Sequence, residues 1–389
     1  MNKRHGVVAV LAGAAILGSA ICGAPANAAV GPPFKARAGP QTQAGATTSR
    51  RSRLRKIVRG LVAAGAPGAL AVVRTPAGID RAAGGLASIQ PRLAMQPGDR
   101  FRVASVTKTF VATLLLRLAA QGRLRLSDSV ERWLPRLVPD GGSITLRELL
   151  NHTSGLYNYT DDPTWKQEEI ANPGRHWLPR ELVAFATSHP QLFPAGTSWS
   201  YSNTNYILLG LVLEAATGEP LGQELQEQLF QPLALRSTSF PTGTAIDGPY
   251  AHGYLGSGSG LVPPGTPLAD VSTLVDPSEL WAAGGIVSTG DNLTRFYAQL
   301  LKGRVLPRAQ LKAMETASSA SLEYGLGLRL TFTVCGEALG HDGNAPGYRN
   351  IVWATANGRR VASVMVNIDT THVPLARLEG ATRNALCHG

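Results

Sequence analysis

Several common catalytic signatures are absent from this chain of 389 residues. It has no His-Glu-x-x-His or Cys-x-x-Cys motif, and its eight histidines are scattered without the spacing of metal ligands. It also lacks the Gly-x-Ser-x-Gly elbow of α/β-hydrolases and a glycine-rich phosphate loop after a strand. These absences argue against a metalloenzyme, an α/β-hydrolase and a nucleotide-binding enzyme, and we expect no metal and no cofactor.

Cysteine is scarce, with three residues in the whole chain. Cys22 falls in an N-terminal segment that we interpret as a secretory signal. An exported protein folds in an oxidising compartment, where two remaining thiols more often pair than stay free. We therefore expect a disulfide between Cys335 and Cys387, with two separate buried thiols as the alternative.

The signal peptide is predicted at residues 1–28. Met1–His5 is basic, residues 6–21 are apolar, and Ala26–Ala28 fits a cleavage site. The apolar run is too short and too rich in alanine and glycine to predict a membrane span. We expect a secreted protein without stable membrane insertion, either free or associated with the cell wall.

Acidic residues are few: 26 Asp and Glu oppose 37 Lys and Arg, which gives a formal net charge of +11. Much of the excess lies at residues 50–59, where apolar residues recur at helical spacing beneath the charges. We predict a flexible lead-in at 29–51 and an amphipathic helix at about 52–64, with a solvated basic face. We expect no nucleic-acid partner, a weak attraction to anionic cell-wall polymer, and a monomer.

Strand patterns lie early and late in the chain, and helical patterns broken by proline and glycine occupy the middle. An early hairpin is predicted to turn at Pro76–Gly78. Three late strands are predicted at 327–335, 348–355 and 361–367. This order predicts an α/β domain with an antiparallel sheet, at 52–104 and 270–389, into which an all-α domain is inserted at 105–269.

Ser105 and Lys108 form a Ser-x-x-Lys pair at the predicted start of a helix, because residues 109–121 are a strong apolar helix former. Residues three apart share one helix face, so the amine of Lys108 can lie beside the Ser105 hydroxyl and take its proton. The helix N-terminus would also stabilise an oxyanion. A helix cap followed by a surface lysine is the alternative reading of this motif alone.

Tyr201 and Asn203 form a second candidate element, in the loop before a predicted helix. A neighbouring ammonium would lower the pKa of Tyr201 and let its phenol carry a proton. The amide of Asn203 could hold Lys108 or a substrate carbonyl. A buried aromatic and a capping asparagine are the alternative.

The third element is His341-Asp342-Gly343, followed by Asn344. An ordinary turn is one interpretation. In the other, Gly343 lets a substrate backbone approach an edge strand, and the N–H of Asn344 joins that of Ser105 in an oxyanion hole.

The three motifs occur in the order Ser-x-x-Lys, Tyr-x-Asn, His-x-Gly, and the chain resembles the serine β-lactamase and penicillin-recognising superfamily. It is most similar to secreted low-molecular-weight serine D-Ala-D-Ala carboxypeptidases and their class C β-lactamase relatives. Supporting segments are Leu149–Leu156, Phe193–Gly196, Ala283–Gly285 and Gly340–Gly343. The resemblance implies the β-lactamase/DD-peptidase fold, an antiparallel sheet flanked by helices with an inserted helical domain and the active site between them.

The resemblance also implies roles for the motif residues. Ser105 would be the acylated nucleophile and Lys108 the amine that shuttles its proton. Tyr201 would be the base in acylation, and Asn203 would position the acyl chain. His341 would replace the usual lysine of the third motif as a weaker, pH-sensitive cation.

The function implied is a serine-type D-alanyl-D-alanine carboxypeptidase, or a transpeptidase, that acts on peptidoglycan-type acyl-D-Ala-D-Ala ends. Arg329 matches an arginine with which such relatives bind a substrate carboxylate, and Trp281 resembles an aromatic of their pocket wall. A solvated strand arginine and a core tryptophan are the alternatives at these two positions.

Asp342 departs from the resemblance, because relatives often carry a hydroxyl there that binds a carboxylate. An anion at this position would repel a carboxylate unless it points away or pairs with Arg329 or Arg349. The alternative function is therefore a class C-like β-lactamase, an esterase or a D-amino-acid amidase of the same fold, and a non-catalytic binding module is the third possibility. β-Lactams are expected to be inhibitors or substrates.

Overall fold

A computed structural model describes residues 40–389 apart from 258–259 and 369–372, and residues 44–389 form one compact unit. The predicted signal peptide and the lead-in up to residue 39 lie outside the described residues. Within the part described, no helix combines the length and the apolar character needed to cross a bilayer.

The centre of the fold is a seven-stranded sheet in which every neighbouring pair is antiparallel. The strands of the structure are β1 (Gly68–Thr75), β2 (Gly78–Ser88), β3 (Leu93–Ala94), β4 (Phe101–Arg102), β5 (Tyr254–Leu255), β6 (Ala269–Asp270), β7 (Val287–Ser288), β8 (Arg329–Thr333), β9 (Gly336–Ala345), β10 (Tyr348–Thr355) and β11 (Val361–Val366). The order in the large sheet is β3-β2-β1-β11-β10-β9-β8, while β4 pairs with β7 and β5 with β6. Early and late parts of the chain therefore meet where β1 pairs with β11.

Helices flank this sheet and fill the segment between its early and late strands. They are α1 (Pro40–Ala63), α2 (Thr107–Ala120), α3 (Val130–Trp133), α4 (Leu146–Leu150), α5 (Pro163–Ala171), α6 (Pro179–Thr187), α7 (Asn203–Thr217), α8 (Leu221–Leu225), α9 (Trp281–Gly284), α10 (Gly290–Leu301), α11 (Arg308–Glu315) and α12 (Leu375–His388). The architecture confirms the predicted antiparallel sheet with helices and the hairpin that turns after Thr75.

Two apolar cores lie on opposite faces of the sheet. On one face, α1 and α12 cover the central strands, and Leu54 and Leu378 pack with Val364. On the other face, α10 and the helices of the middle segment form the larger core, in which Leu70 of β1 packs with Phe296 and Phe110. Because the central strands are buried on both faces, they are continuously apolar rather than alternating.

The structure differs from the sequence prediction in two elements. Helix α1 begins at Pro40, so residues 40–51, predicted as part of a flexible lead-in, are helical. Proline suits the first position of a helix, and alanine, glutamine and arginine residues in this segment favour helix. The predicted three late strands are four, because β9, which carries the His-x-Gly motif, was not predicted as a strand.

The predicted disulfide between Cys335 and Cys387 is present. Cys335 lies in the turn between β8 and β9, and Cys387 lies near the end of α12. The bond therefore fastens the edge hairpin of the sheet to the C-terminal helix.

Candidate active site

Ser105 lies in a tight turn that leads into α2. Ala104 just before it has a φ of 46°, in the left-handed region that residues with a side chain rarely adopt. A 3₁₀ turn over Ala104–Val106 then continues into α2. Among buried neighbours Ser105 is partly exposed, so this strained turn presents its hydroxyl to the cleft at the N-terminal end of the helix.

Lys108 lies one turn further on, and its side chain is fully buried. Its Nζ is 3.0 Å from Ser105 Oγ, 2.8 Å from Asn203 Oδ1 and 2.8 Å from the carbonyl oxygen of Ala283. Burial lowers the pKa of Lys108 well below that of a free lysine. A neutral amine fits these neighbours, because its two N–H groups donate to the two carbonyl oxygens and its lone pair faces the hydroxyl of Ser105.

Tyr201 completes the contacts of the Ser105 hydroxyl. Its phenol donates to Ser105 Oγ at 2.9 Å, and the ring of His152 lies against it with 4.4 Å between centroids. Burial raises the pKa of Tyr201, although the hydrogen bond with Ser105 opposes this. The prediction of a lowered pKa is therefore wrong, because Lys108 is not available as the neighbouring ammonium, and the resting Tyr201 is a neutral proton donor.

Asn203 is the first residue of α7, and its amide oxygen accepts a hydrogen bond from Lys108. Holding Lys108 was one of the two roles predicted for this amide. The other side of its amide donates to Thr160 Oγ1 at 3.3 Å, and its backbone N–H donates to Asn158 Oδ1 at 2.9 Å. These contacts fix the orientation of the carboxamide, so that an oxygen rather than an NH₂ group faces the amine.

His152 is a buried residue behind Tyr201 that is held by hydrogen bonds. Its Nδ1 accepts from the backbone N–H of Ser202 at 3.2 Å and lies 3.1 Å from Asn205 Nδ2. Burial lowers the pKa of His152 well below its ordinary value. The ring is therefore a neutral wall behind Tyr201.

His341 lies on β9 but makes no hydrogen bond with Ser105 in the described residues. Its Nδ1 donates to the carbonyl oxygen of Asp342 at 2.6 Å, and its Nε2, 2.9 Å from the phenol oxygen, accepts from Tyr324. Burial lowers the pKa of His341 to about 4. The prediction of a pH-sensitive cation is therefore wrong, because a buried ring with an acceptor nitrogen stays neutral near neutral pH.

Gly343 is required by the packing of β9 against the Ser105 turn. A Cβ atom at this position would lie 2.1 Å from the carbonyl oxygen of Val103. Gly343 was predicted to let a substrate backbone come close. In the structure it is the protein's own backbone, at Val103, that comes close.

Asn344 follows on the same strand and lines the cleft with Ser105. Ala345 pairs with Tyr348 around a two-residue turn, and Asn344 pairs with Arg349. In an antiparallel ladder the hydrogen-bonded pairs alternate, so the N–H of Asn344 faces away from β10. Strand β8 pairs with β9 only up to Gly340, which leaves this edge open toward the cleft.

Arg329 is engaged by acidic side chains. Its Nη1 is 2.6 Å from Asp342 Oδ1, and its Nη2 is 3.5 Å from Glu379 Oε1. The predicted role of a free carboxylate clamp is not supported, because the guanidinium already has carboxylate partners. The pairing of Asp342 with Arg329 is one of the two that the sequence allowed.

The cleft that contains Ser105 has a volume of about 740 Å³. It is lined by Ser105, Trp199, Tyr201, Asn203, Ser321, Leu322, Glu323, Tyr324, Arg329, Asp342 and Asn344. Trp281 is not among these residues, and its indole packs against α7, where a Cβ at Gly210 would lie 2.6 Å from Trp281 Cζ3. The core alternative is therefore correct for Trp281.

Trp199 and Tyr324 are cleft residues that the sequence analysis missed. Trp199 lies two residues before Tyr201, and in an extended segment such residues point to the same side, so this spacing was an available signal. Tyr324 had no local signal, since its position depends on the pairing of distant segments. Within the described residues, no group of three or more His, Cys, Asp and Glu side chains is arranged to hold a metal ion.

The sequence model of the family described as Beta-lactamase matches residues 54–386. The chain belongs to the beta-lactamase family. It is a serine hydrolase of the β-lactamase and penicillin-binding group.

Relatives within this family differ in activity. A solved D-stereospecific amidohydrolase from Streptomyces sp. is 37% identical, with a TM-score of 0.76, and the match covers 86% of this chain and 98% of that one. A D-aminopeptidase of Brucella anthropi is 28% identical over 78% of this chain, and the match spans 56% of that protein. Penicillin-binding protein 4* of Bacillus subtilis is 26% identical over 73% of this chain and 64% of that protein. The chain thus spans little more than half of the length of some curated relatives.

Proposed function

We propose that this protein is a D-stereospecific serine amidohydrolase, which cleaves amides of D-amino acids through an acyl-enzyme on Ser105. The observation that carries the choice is the ion pair of Arg329 with Asp342 at 2.6 Å. An enzyme that acts on free peptide C-termini needs an available cation for the substrate carboxylate. Here the cation of the cleft is neutralised, which favours substrates whose leaving group carries no charge.

The proposed acylation step uses the hydrogen bonds around Ser105. Neutral Lys108 accepts the hydroxyl proton as Ser105 Oγ bonds to the substrate carbonyl carbon. The N–H groups of Ser105 and Asn344 hold the resulting oxyanion. Tyr201 donates its phenol proton to the leaving nitrogen as the C–N bond breaks, and Lys108 returns a proton to Tyr201.

Deacylation reverses these proton transfers with water in place of the amine. The water loses a proton to the Lys108–Tyr201 pair and attacks the ester carbon. The C–O bond to Ser105 breaks, and Ser105 Oγ recovers its proton. The products are a free carboxylic acid and the released amine or ammonia.

The relatives support the same choice. The names of two of them, D-stereospecific amidohydrolase and D-aminopeptidase, describe hydrolysis of D-configured substrates. This supports the alternative stated from the sequence better than the D-Ala-D-Ala carboxypeptidase that was the main hypothesis. The carboxypeptidase is the competing outcome of the test.

The test compares purified wild type with Ser105→Ala on D-phenylalanine amide, L-phenylalanine amide and an N-acylated D-Ala-D-Ala peptide. We expect hydrolysis of the D-amide at least tenfold faster than that of the L-amide, and none with Ser105→Ala. Ser52→Ala is the matched control, because Ser52 is an exposed serine on α1 that does not line the cleft. Faster release of D-alanine from the peptide than of ammonia from the D-amide would overturn the proposal.

A further inference from the structure

The charges that line the cleft do not balance. The charged side chains among the lining residues are Glu323, Arg329 and Asp342. Arg329 and Asp342 neutralise each other through their contact at 2.6 Å. Glu323 has no ion-pair partner in the described part of the chain, so the cleft carries one uncompensated negative charge.

Glu323 is held in place by its backbone. Its carbonyl oxygen accepts from the N–H of Leu330 at 2.7 Å, and its N–H donates to Ser321 Oγ at 3.4 Å. The next residue, Tyr324, bridges to Arg329 at the start of β8 and contacts His341. The carboxylate therefore belongs to a segment whose backbone is fixed to β8, and the side chain of Tyr324 connects this segment to His341 on β9.

We infer that Glu323 selects substrates that carry a positive charge close to the scissile bond, namely the free α-ammonium of a D-amino acid amide or of a peptide with an N-terminal D-residue. This inference rests on the proposed function and states which substrates the proposed amidohydrolase would prefer. An N-blocked substrate lacks the charge and gains nothing from Glu323. The surface position of this carboxylate limits its contribution, because exposed ion pairs are weak.

The test uses two substrates that differ in this charge alone. D-Phenylalanine amide carries the ammonium, and the amide of D-phenyllactic acid replaces it with a hydroxyl of similar size. We expect Glu323→Gln to lower kcat/KM for the charged amide about three- to fivefold and to leave the hydroxy amide unchanged. Glu323→Lys is expected to lower kcat/KM for the charged amide further, and added salt should reduce the effects of both substitutions.

Glu337→Gln is the matched control, because Glu337 is an exposed glutamate on β9 that does not line the cleft. If Glu323→Gln lowers kcat/KM equally for both substrates, or for neither, the inference about Glu323 is overturned. The proposed function still stands in that case, provided that the wild type hydrolyses the D-amide. Absence of Ser105-dependent D-amide hydrolysis in wild type would overturn both.

Discussion

The amine of Lys108 is surrounded by protein atoms, with two carbonyl oxygens and one hydroxyl within 3.0 Å. Desolvation favours the uncharged form, and only that form can accept the proton of Ser105. The carbonyl oxygens of Asn203 and Ala283 use its two N–H groups and so aim the lone pair. A single residue thus becomes a base because its neighbours accept hydrogen bonds without supplying a negative charge.

Lys108→Arg keeps several N–H donors but replaces the neutral amine with a permanent cation and so removes the base, since a guanidinium does not lose its proton in proteins. We expect the acylation rate to fall by about 10²–10⁴-fold, the usual contribution of a general base. In wild type the rate should rise with pH as Lys108 deprotonates and should level off below the pH at which a free lysine loses its proton. Single-turnover acylation followed by mass spectrometry across pH measures both effects, and Lys312→Arg, on α11, is the control. Full activity of Lys108→Arg would contradict this role.

Asp342→Thr removes the nearer carboxylate partner of Arg329, leaving Glu379 at 3.5 Å, and introduces a hydroxyl at the position where relatives often carry one. We expect faster acylation by penicillin, by about tenfold or more, because a hydrogen bond to a charged group contributes about 1.5–3 kcal/mol. The second-order acylation rate constant, from mass spectrometry of the adduct, measures this gain. The double variant with Arg329→Gln should lose it. An unchanged rate in Asp342→Thr would show that Asp342 does not face the substrate carboxylate.

At the scale of elements, β9 places the third motif against the nucleophile turn. Its side chains alternate at the motif: His341 and Gly343 are buried, while Asp342 and Asn344 reach the cleft side. The same strand is open beyond Gly340, where its pairing with β8 ends. One strand therefore does two things: Gly343 packs against the turn that carries Ser105, and Asp342 and Asn344 line the cleft.

Gly343→Ala tests this contact, because the new Cβ would meet the carbonyl oxygen of Val103 at 2.1 Å and backbone cannot move aside cheaply. We expect a loss of about 1–3 kcal/mol in the free energy of unfolding, the usual cost of overpacking, together with slower acylation as Asn344 shifts from Ser105. Urea unfolding and single-turnover acylation measure the two effects. Gly142→Ala is the control, since no atom lies within 4 Å of its Cβ position. Wild-type values for Gly343→Ala would refute the packing argument.

How much the sequence predicts depends on whether a feature is local. The pairing of Ser105 with Lys108 follows from helical spacing, and the apolar patterns predict the hairpin and most of the late strands. Strand β9 was missed because its residues Gly336–Ala345 include three glycines, an aspartate and an asparagine, which are uncommon in strands. The pairing of Arg329 with Asp342 depends on strand register, which places Arg329 opposite Gly340, and no local pattern specifies it.

At the scale of the whole molecule, one sheet is covered on both faces by segments distant in sequence. Helices α1 and α12 cover one face, and Arg53 donates to the backbone carbonyl of His388 between them. Helix α12 also carries Glu379, which contacts Arg329 of the cleft. The C-terminal helix thus contacts both the central strands of the sheet and a side chain that lines the cleft.

The disulfide between Cys335 and Cys387 joins two positions with a sequence separation of 52 and closes a loop between the edge hairpin and α12. Removing it in Cys335→Ser/Cys387→Ser should lower the free energy of unfolding by about 4 kcal/mol, because the unfolded chain regains the entropy of the open loop. Activity at 25 °C should persist, since buried Leu378 and Leu386 still hold α12 against the sheet and Glu379 near Arg329. Denaturant unfolding and D-amide hydrolysis measure the two quantities, and reduced wild type should match the double variant. A loss of activity in the folded variant would mean that the disulfide, and not the apolar packing of α12, holds the cleft in its active geometry.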